Sequence, residues 1–191
     1  MIDDKGENIR FIFKICLIGS GGVGKTCIAR RLCFNTFQFN TQLTIGIDFY
    51  NYSVPLQVDG EKKFAKLFIW DFGGQEQFKT LFKYYIGGVN GVFLVFDLTN
   101  IQSLIQLNWW YDKLLEHNVD CPKFLIGTKS DLFENKPSKI DELIVEEFLK
   151  EHNEKDYFKT SSKEDTNILE SIKEIVKKIL DSHNLDYDKL L

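Results

Sequence analysis

The stretch Gly19-Ser20-Gly21-Gly22-Val23-Gly24-Lys25-Thr26 matches the pattern G-x-x-x-x-G-K-[ST] at every position. At this spacing the backbone N–H groups of a glycine-rich loop can surround a chain of phosphates, with a cation and a hydroxyl beside it. We call residues 19–26 the glycine loop. An apolar, β-rich run precedes it at residues 11–18, and an apolar pattern at helical spacing follows at residues 27–33. A helix that begins at such a loop adds partial positive charge. The order strand, loop, helix predicts a phosphate site; the alternative is a glycine-rich turn between two ordinary elements.

Composition limits the classes of partner and compartment. The 191 residues are 43% hydrophobic, include 17 Phe and carry a net charge of −4, so we expect one compact domain and no nucleic-acid partner. The longest apolar run is too short for a transmembrane helix, and the first residues lack the features of a signal peptide. The last cysteine is Cys121, so this chain as given is expected to carry no C-terminal lipid anchor. We expect a cytoplasmic monomer, with any peripheral membrane association made through partners.

Strand-like and helix-like runs alternate along the chain, which predicts an α/β fold with a mostly parallel sheet covered by about five helices on both faces. Asp59-Gly60 is a hairpin signal, and Pro55 makes the strand before it an antiparallel edge strand. Six strands are predicted, over residues 11–18, 48–58, 62–71, 91–97, 121–127 and 157–160. Helices are predicted from residue 27, and over 103–116, 138–151 and 168–180. The domain is expected to span residues 11–182, between an N-terminal extension (1–10) and a C-terminal tail (183–191).

Residues with phosphate and metal chemistry follow the predicted strands, where open parallel sheets bind ligands. Lys25 is expected to contact the β- and γ-phosphates, and the Thr26 hydroxyl to ligate Mg²⁺. Asp71 is placed to hold that Mg²⁺ through its water shell. Gly74 can offer a backbone N–H close to a γ-phosphate, and Gln75 can orient an attacking water. The pattern D-x-x-G-Q is weak alone and becomes informative after a glycine loop and a strand.

A second group of polar residues predicts the base. Asp131 can accept hydrogen bonds from N1–H and the 2-amino group of guanine, which adenine cannot offer at those positions. The stem of Lys129 can lie along the purine. The loop of residues 160–163 can present a backbone N–H to the guanine O6. For each short motif the alternative is an ordinary polar loop, but their common place at strand ends favours a guanine nucleotide.

Over residues 11–182 the chain resembles a Ras-superfamily small GTPase, and most closely the Rab branch. Thr44-Ile45-Gly46-Ile47-Asp48-Phe49 is close to T-I-G-V-D-F of that branch, and residues 66–71 and 84–88 are similar to its interswitch and post-switch signatures. The resemblance implies a single P-loop GTPase domain. It implies that Thr44 ligates Mg²⁺ and touches the γ-phosphate in the GTP state, and that Phe37 packs edge-on against the base. It also implies an effector-facing surface that includes Asp48, Phe49 and Trp70, with Phe64 or its neighbours.

The predicted site can now be stated in full. Gln75 and Lys25 are the expected catalytic residues, and Thr26, Thr44 and Asp71 the expected metal-binding residues. Nucleotide contacts are expected for Gly21, Gly22, Val23, Gly24, Lys25, Thr26, Cys27, Phe37, Thr44, Gly74, Thr128, Lys129, Asp131, Ser161, Ser162 and Lys163.

The chain also departs from the family pattern. Thr128 stands where most members have Asn, and its hydroxyl is expected to tie loops together in that place. Phe72-Gly73 replaces the usual Thr-Ala. Gln77 occupies a position where Rab proteins usually carry Arg, and Thr41 the position of a frequent switch tyrosine. The sequence F-G-G-Q at residues 72–75 is also similar to that of the septation and mitotic-exit GTPases, which are the alternative subfamily.

The resulting expectation is a GTP-binding, GTP-hydrolysing switch with Mg²⁺ as cofactor. Effector, exchange and GTPase-activating proteins would bind through residues 38–50 and 70–88, in the regulation of vesicle or membrane trafficking. One alternative is a nucleotide-binding interaction module with little hydrolysis, and another is an adenine-nucleotide ATPase or kinase, against which Asp131 and Lys129 argue.

Overall fold

The computed structural model describes residues 1–3, 6–39, 42–133 and 142–191. Its strands are β1 (Ile9–Ile18), β2 (Ile47–Val58), β3 (Glu61–Phe72), β4 (Gly91–Asp97), β5 (Lys123–Thr128), β6 (Tyr157–Lys159) and β7 (Lys189–Leu190). Its helices are α1 (Lys25–Phe34), α2 (Glu76–Lys79), α3 (Phe82–Tyr85), α4 (Ile101–Ile105), α5 (Leu107–Glu116), α6 (Ser130–Phe133), α7 (Glu142–Glu151) and α8 (Ile168–Ser182).

These strands form one sheet in the order β6-β5-β4-β1-β3-β2-β7. All pairs from β6 to β3 are parallel, whereas β2 runs antiparallel to β3 and β7 antiparallel to β2. The predicted α/β class with a mostly parallel sheet and an antiparallel edge is therefore confirmed. None of the helices in the described ranges is long and apolar enough to cross a membrane.

Two hydrophobic cores lie on opposite faces of the sheet. Successive residues of β1 point to opposite faces, so Ile15 and Leu17 join the core under α1 and α8, while Cys16 and Ile18 join the core under α5 and α7. Apart from its last residue, Asp97, the strand β4 is apolar, and it is buried along its whole length. These cores fix the carboxyl ends of β1, β4 and β5 at one end of the molecule.

The edge of the sheet differs from the prediction of six strands. A seventh strand, β7, pairs with Leu56 and Gln57 of β2, and the Pro55 carbonyl accepts a hydrogen bond from the Leu191 N–H. The predicted C-terminal tail therefore packs on the sheet. At the other terminus, β1 begins at Ile9, inside the predicted N-terminal extension.

Element boundaries follow local chemistry. The predicted Asp59-Gly60 turn has positive φ at both residues, 54° and 74°, as a two-residue hairpin requires. The helix predicted from residue 103 starts earlier, at Ile101, because the Asn100 side chain accepts a hydrogen bond from the Gln102 N–H. It is divided at Gln106 into α4 and α5. The predicted helix start at Ser138, and Thr41, lie outside the described residues.

Candidate functional site

A cavity of about 300 Å³ opens where the glycine loop meets the carboxyl ends of the parallel strands. Most of the predicted site residues line it: Gly21, Gly22, Gly24, Lys25, Thr26, Cys27, Phe37, Thr44, Gly74, Gln75, Thr128, Lys129, Asp131, Ser162 and Lys163. Residues that were not predicted to contact the nucleotide also line it: Gln38, Phe39, Gln42, Leu43 and Leu132.

Three predicted residues lie behind the cavity wall. Val23 is buried, and its carbonyl faces the Thr128 hydroxyl. Asp71 is fully buried beneath Thr26. The Ser161 N–H donates to the Thr166 carbonyl, so a backbone donor for a base would have to come from elsewhere in the 160–163 loop.

The glycine loop is shaped by backbone that only glycine adopts readily. Gly19 has φ of 144°, and a Cβ there would lie 2.1 Å from the Val95 carbonyl oxygen, so this position cannot carry a side chain. Gly24 has φ of 107° and precedes α1, whose first turn contains no acidic residue. The N–H groups at the start of α1 therefore remain available to an anion.

Lys25 supplies the positive charge of this loop. Its ammonium donates to the carbonyl oxygens of Gly19 (2.9 Å) and Ser20 (2.7 Å). The side chain is almost fully buried, and this burial lowers the pKa of Lys25 to about 8, against a smaller opposing effect of Asp71. A buried cation that is held by loop carbonyls would gain much from an anionic ligand.

A small oxygen cluster lies next to Lys25. The Thr26 hydroxyl is 2.5 Å from the Asp71 Oδ2 and 2.9 Å from the Thr44 hydroxyl, which is itself 3.3 Å from Oδ2. The Asp71 Oδ1 is buried and accepts no hydrogen bond from any residue that the structure describes, and burial raises the pKa of Asp71 to about 6. An unpartnered carboxylate oxygen with two hydroxyls fits Mg²⁺, which is typically bound by one or two carboxylates and by substrate phosphates.

The predicted base-reading residues form a second cluster. Asp131 Oδ1 accepts a 2.6 Å hydrogen bond from the Ser161 hydroxyl, and Lys163 lies 3.8 Å from Oδ2. Because Ser161 occupies one oxygen, it fixes the direction in which the carboxylate faces. Ser161 thus supports the site from behind, although the sequence analysis placed it in contact with the nucleotide.

Thr128 and Lys129 join this cluster to the glycine loop. The Thr128 hydroxyl lies 2.5 Å from the Val23 carbonyl oxygen and 3.0 Å from that of Phe96, so it connects the loops as predicted. The Lys129 ammonium lies 2.7 Å from the Asp97 Oδ2 and 3.1 Å from the Gly22 carbonyl oxygen. Asp97 was missed, although an acidic residue at the end of an otherwise apolar strand was a usable signal.

Two aromatic rings close one side of the cavity. Phe37, predicted to pack against the base, makes an edge-to-face contact with Phe39 at 5.0 Å between ring centroids. Phe39 itself is 79% exposed. Its local pattern resembles that of any loop aromatic, so only the fold shows that it reaches the cavity.

The segment after β3 packs directly on the glycine loop. A Cβ on Gly74 would lie 2.3 Å from the Gly21 nitrogen, so only glycine permits this approach. The Gln75 side chain follows, with its Cγ 3.9 Å from the position of a Cβ on Gly21. The Gln77 amide donates to the Gln75 Oε1 at 3.1 Å.

The departure at Phe72-Gly73 has a structural reason. Phe72 is buried and contacts Phe82 at 5.8 Å between ring centroids, which anchors the segment in the core. The Gly73 N–H donates to the Gly46 carbonyl at 2.8 Å, and a Cβ on Gly73 would lie 2.6 Å from the Thr44 carbonyl oxygen. The segments that carry Thr44 and Gln75 therefore touch backbone to backbone.

An aromatic surface lies beside these segments. Phe49, which is 62% exposed, meets Trp70 edge-on at 4.7 Å, and Tyr85 lies 5.8 Å from Trp70. The Lys14 ammonium is 3.8 Å from the centroid of the Trp70 ring. Phe64 lies six residues earlier on β3, about 20 Å along the strand, so Tyr85 takes the place that was considered for Phe64.

Comparisons with known proteins agree with this architecture. The model of the Ras family matches residues 14–181. The chain is 36% identical over 173 residues to Ras-related protein Rab-10 of Diplobatis ommata, a match that covers 88% of this chain and 82% of the relative. It is 35% identical over 170 residues to Ras-related protein Rab-13 of Canis lupus familiaris, with 88% and 80% covered.

A third relative is matched over a shorter stretch. The chain is 41% identical over 126 residues to Ras-related protein Rab-33A of Mus musculus, and the match covers 64% of this chain and about half (52%) of the relative. Because the family match spans most of the chain and these relatives are Rab proteins, the chain belongs to the Ras family and is a Rab-like small GTPase.

Proposed function

We propose that this chain binds GTP and GDP together with Mg²⁺, hydrolyses GTP and changes its partners with the nucleotide. The observation that carries the proposal is the convergence of three groups on one cavity: the glycine loop with Lys25, the Thr26 and Thr44 hydroxyls with Asp71 directly beneath them, and Asp131. These three groups would bind, in this order, the phosphates, the metal ion and the base of a guanine nucleotide. Members of the Ras and Rab families are GTPases in general.

Hydrolysis requires a water molecule to attack the γ-phosphorus in line with the bond to the β-phosphate oxygen, which then breaks. Lys25 and the loop N–H groups are placed to neutralise the charge on the phosphate oxygens. Gln75 would orient the water, since its amide offers both a donor and an acceptor. Mg²⁺, held by Thr26, Thr44 and Asp71, would stabilise negative charge on the phosphates.

Turnover is expected to be slow without a partner. Residues 38–48 and 72–86 contain no arginine, so an arginine for the transition state would come from an activating protein. Such a residue raises the rate by about 10³–10⁵-fold in this reaction class. Gly21 has no side chain beside Gln75, which leaves room for it: among the described residues, the nearest side-chain atoms to a Cβ position there belong to Leu43 (3.5 Å) and Gln75 (3.9 Å).

The base is chosen at the other end of the cavity. Asp131, held by Ser161, would accept two hydrogen bonds from guanine, and an adenine would leave this carboxylate unpaired. Phe37 and the stem of Lys129 would flank the purine ring. This arrangement supports guanine over adenine and argues against the ATPase or kinase alternative.

The nucleotide state would determine whether the segments around Thr44 and Gly74 are ordered. Loss of the γ-phosphate would remove contacts to Thr44 and Gly74, and the Gly73–Gly46 hydrogen bond would transmit movement from one segment to the other. Effectors, exchange factors and activating proteins would bind residues 38–50 and 70–88, including the aromatic surface of Phe49, Trp70 and Tyr85. The likeness to Rab proteins supports a role in the regulation of vesicle or membrane trafficking. The protein would be monomeric and cytoplasmic, and would reach membranes through its partners. A septation-type signalling role is the alternative.

One observation favours a second candidate, a nucleotide-binding module with little hydrolysis. The Gln75 Oε1, which would accept a hydrogen bond from the attacking water, already accepts one from Gln77. An amide oxygen has two lone pairs, so this bond need not exclude the water. Hydrolysis by the parent protein decides between the two candidates.

Single-turnover phosphate release from preloaded GTP tests the proposal. The parent should release one phosphate per bound GTP, slowly, and Gln75→Leu should slow this step at least tenfold without loss of GTP binding. Nucleotide analysis by liquid chromatography after overnight incubation should show GDP for the parent and GTP for the variant. Bound GTP that stays intact in the parent would favour the non-hydrolysing module, and equal rates would remove Gln75 from the mechanism.

A further inference from the structure

The two carboxylate oxygens of Asp97, the last residue of β4, bind two different loops. Asp97 is only 7% exposed. Its Oδ1 accepts hydrogen bonds from the N–H and the hydroxyl of Thr99, both at 2.8 Å. Its Oδ2 accepts from the Lys129 ammonium at 2.7 Å. One oxygen therefore shapes the loop after β4, while the other reaches a residue after β5.

Lys129 is constrained at both ends of its side chain. Its backbone has φ of 60°, a left-handed conformation that non-glycine residues rarely adopt. Its ammonium is held by Asp97 and by the Gly22 carbonyl of the glycine loop, at 3.1 Å. A lysine stem has several rotatable bonds, so without the carboxylate it would sample many positions.

We propose that Asp97 is a positioning residue that holds the Lys129 stem along the purine and its ammonium on the glycine loop, and thereby prolongs nucleotide binding. The proposal rests on the proposed guanine-nucleotide site and goes beyond it. In this arrangement β4 contributes to nucleotide retention without touching the nucleotide. The Asp97 side chain is 10% exposed and that of Lys129 35% exposed, and a charge-assisted hydrogen bond between such groups is roughly twice as strong as a neutral one.

The competing explanation is that Asp97 only shapes its own loop through Thr99. Asp97→Asn separates the two roles, because the asparagine carbonyl can still accept from Thr99 while its NH₂ group cannot accept from an ammonium. Thr99→Val is the matched control, since it removes the hydroxyl bond to Oδ1 and leaves the Oδ2–Lys129 pair intact.

The experiment measures the dissociation rate of fluorescent GDP in Mg²⁺ for the parent, Asp97→Asn, Lys129→Met and the double variant. We expect Asp97→Asn to release GDP about tenfold faster, the loss that corresponds to one charge-assisted hydrogen bond. The double variant should release GDP no faster than Lys129→Met alone. Thr99→Val should stay within about twofold of the parent.

Asp97→Glu and Asp97→Gln form a second pair of variants that differ in charge and hardly in size. If Asp97→Asn does not fold, the ratio of their GDP dissociation rates tests the proposal instead. The glutamate should retain GDP longer than the glutamine. Additive effects of Asp97→Asn and Lys129→Met, or equal rates for Glu and Gln, would overturn the proposal while the parent still binds GDP. A parent that binds no GDP would overturn the proposed function together with it.

Discussion

Asp71 and Lys25 place opposite charges in a nearly dry part of the site, and burial makes the charged form of each group less favourable than in water. Burial raises the pKa of Asp71 to about 6 and lowers that of Lys25 to about 8. Asp71 lies beneath Thr26, and its negative charge partly offsets the effect of burial on the pKa of Lys25. Stability has thus been given up locally for a site that a charged ligand completes.

The pH dependence of stability should report the buried Asp71 carboxyl. Its reference pKa is 3.8, so between that value and about 6 the folded protein holds a proton that the unfolded chain releases. The stabilising contribution of Asp71 is complete below pH 3.8 and is lost as the pH rises through about 6. From pH 4.5 to 6.5, nucleotide-free parent should lose about 2 kcal/mol of unfolding free energy relative to Asp71→Asn.

Urea unfolding in EDTA measures this difference. Asp186→Asn, at an exposed position, controls for the loss of one carboxylate. If the parent and Asp71→Asn gave parallel pH profiles, the carboxyl would not be titrating in the folded protein as its burial indicates.

Thr128 offers a second test at single-residue scale. Thr128→Val removes the hydroxyl that faces the buried carbonyls of Val23 and Phe96. An unsatisfied buried carbonyl costs about 1–3 kcal/mol, so both the unfolding free energy and the lifetime of bound GDP should fall. Thr128→Ser keeps the hydroxyl and should behave like the parent in thermal unfolding and GDP release. Equal values for valine and serine would show that the hydroxyl does not tie the loops.

At the scale of elements, the two segments around Thr44 and Gln75 are in direct contact because Gly73 lets their backbones meet. Gly73→Ala would place a Cβ 2.6 Å from the Thr44 carbonyl oxygen and 3.0 Å from that of Gly46. Overpacking of this kind costs about 1–3 kcal/mol. We expect the Thr44 segment to be displaced and the Mg²⁺ affinity of the GTP-loaded protein to fall about tenfold.

Titration of Mg²⁺ against the release rate of a fluorescent GTP analogue measures this effect. Gly87→Ala is the matched control, because a Cβ there would meet no atom of the described ranges within 4 Å. An unchanged Mg²⁺ dependence in Gly73→Ala would mean that the two segments are not coupled at this contact.

Elements with a strong local signal could be predicted from the sequence. The nearly all-apolar run from Gly91 to Asp97 and the Asp59-Gly60 turn appear in the structure at the predicted residues. The two-residue strand β7 has no local signal, because it is stabilised by pairing with a distant strand. The same holds for the site: the motif residues were predictable, whereas the place of Phe39 at the cavity was not. Asp97 had a usable signal as the acidic end of an apolar strand, but its pairing with Lys129 depends on which loops the fold brings together.

At the scale of the whole molecule, the C-terminal segment is integrated into the domain. Leu185, Tyr187 and Leu190 pack against the core under α1 and α8, and β7 covers the outer edge of β2 near Leu56. This contact lies at the end of β2 opposite the nucleotide site, about 30 Å from Ile47 along the strand.

Removal of residues 185–191 should therefore affect stability and leave the site unchanged. The loss of three partly buried side chains should lower the unfolding free energy by about 3 kcal/mol. The exposed β2 edge should increase aggregation on heating. GDP dissociation measured in Mg²⁺ should stay within about twofold of the parent. A large increase in GDP release would show that the tail also supports the nucleotide site.

The central claim, that this cavity selects a guanine nucleotide, is tested most directly by competition against fluorescent GDP in Mg²⁺. GDP and GTP should displace the probe from the parent, whereas ADP and ATP should not do so at a hundredfold excess. Asp131→Asn should weaken GDP and favour xanthosine diphosphate, because the amide can donate to the 2-oxo group that replaces the 2-amino group. Displacement by ATP as effective as by GTP, or an unchanged base preference in Asp131→Asn, would contradict the account.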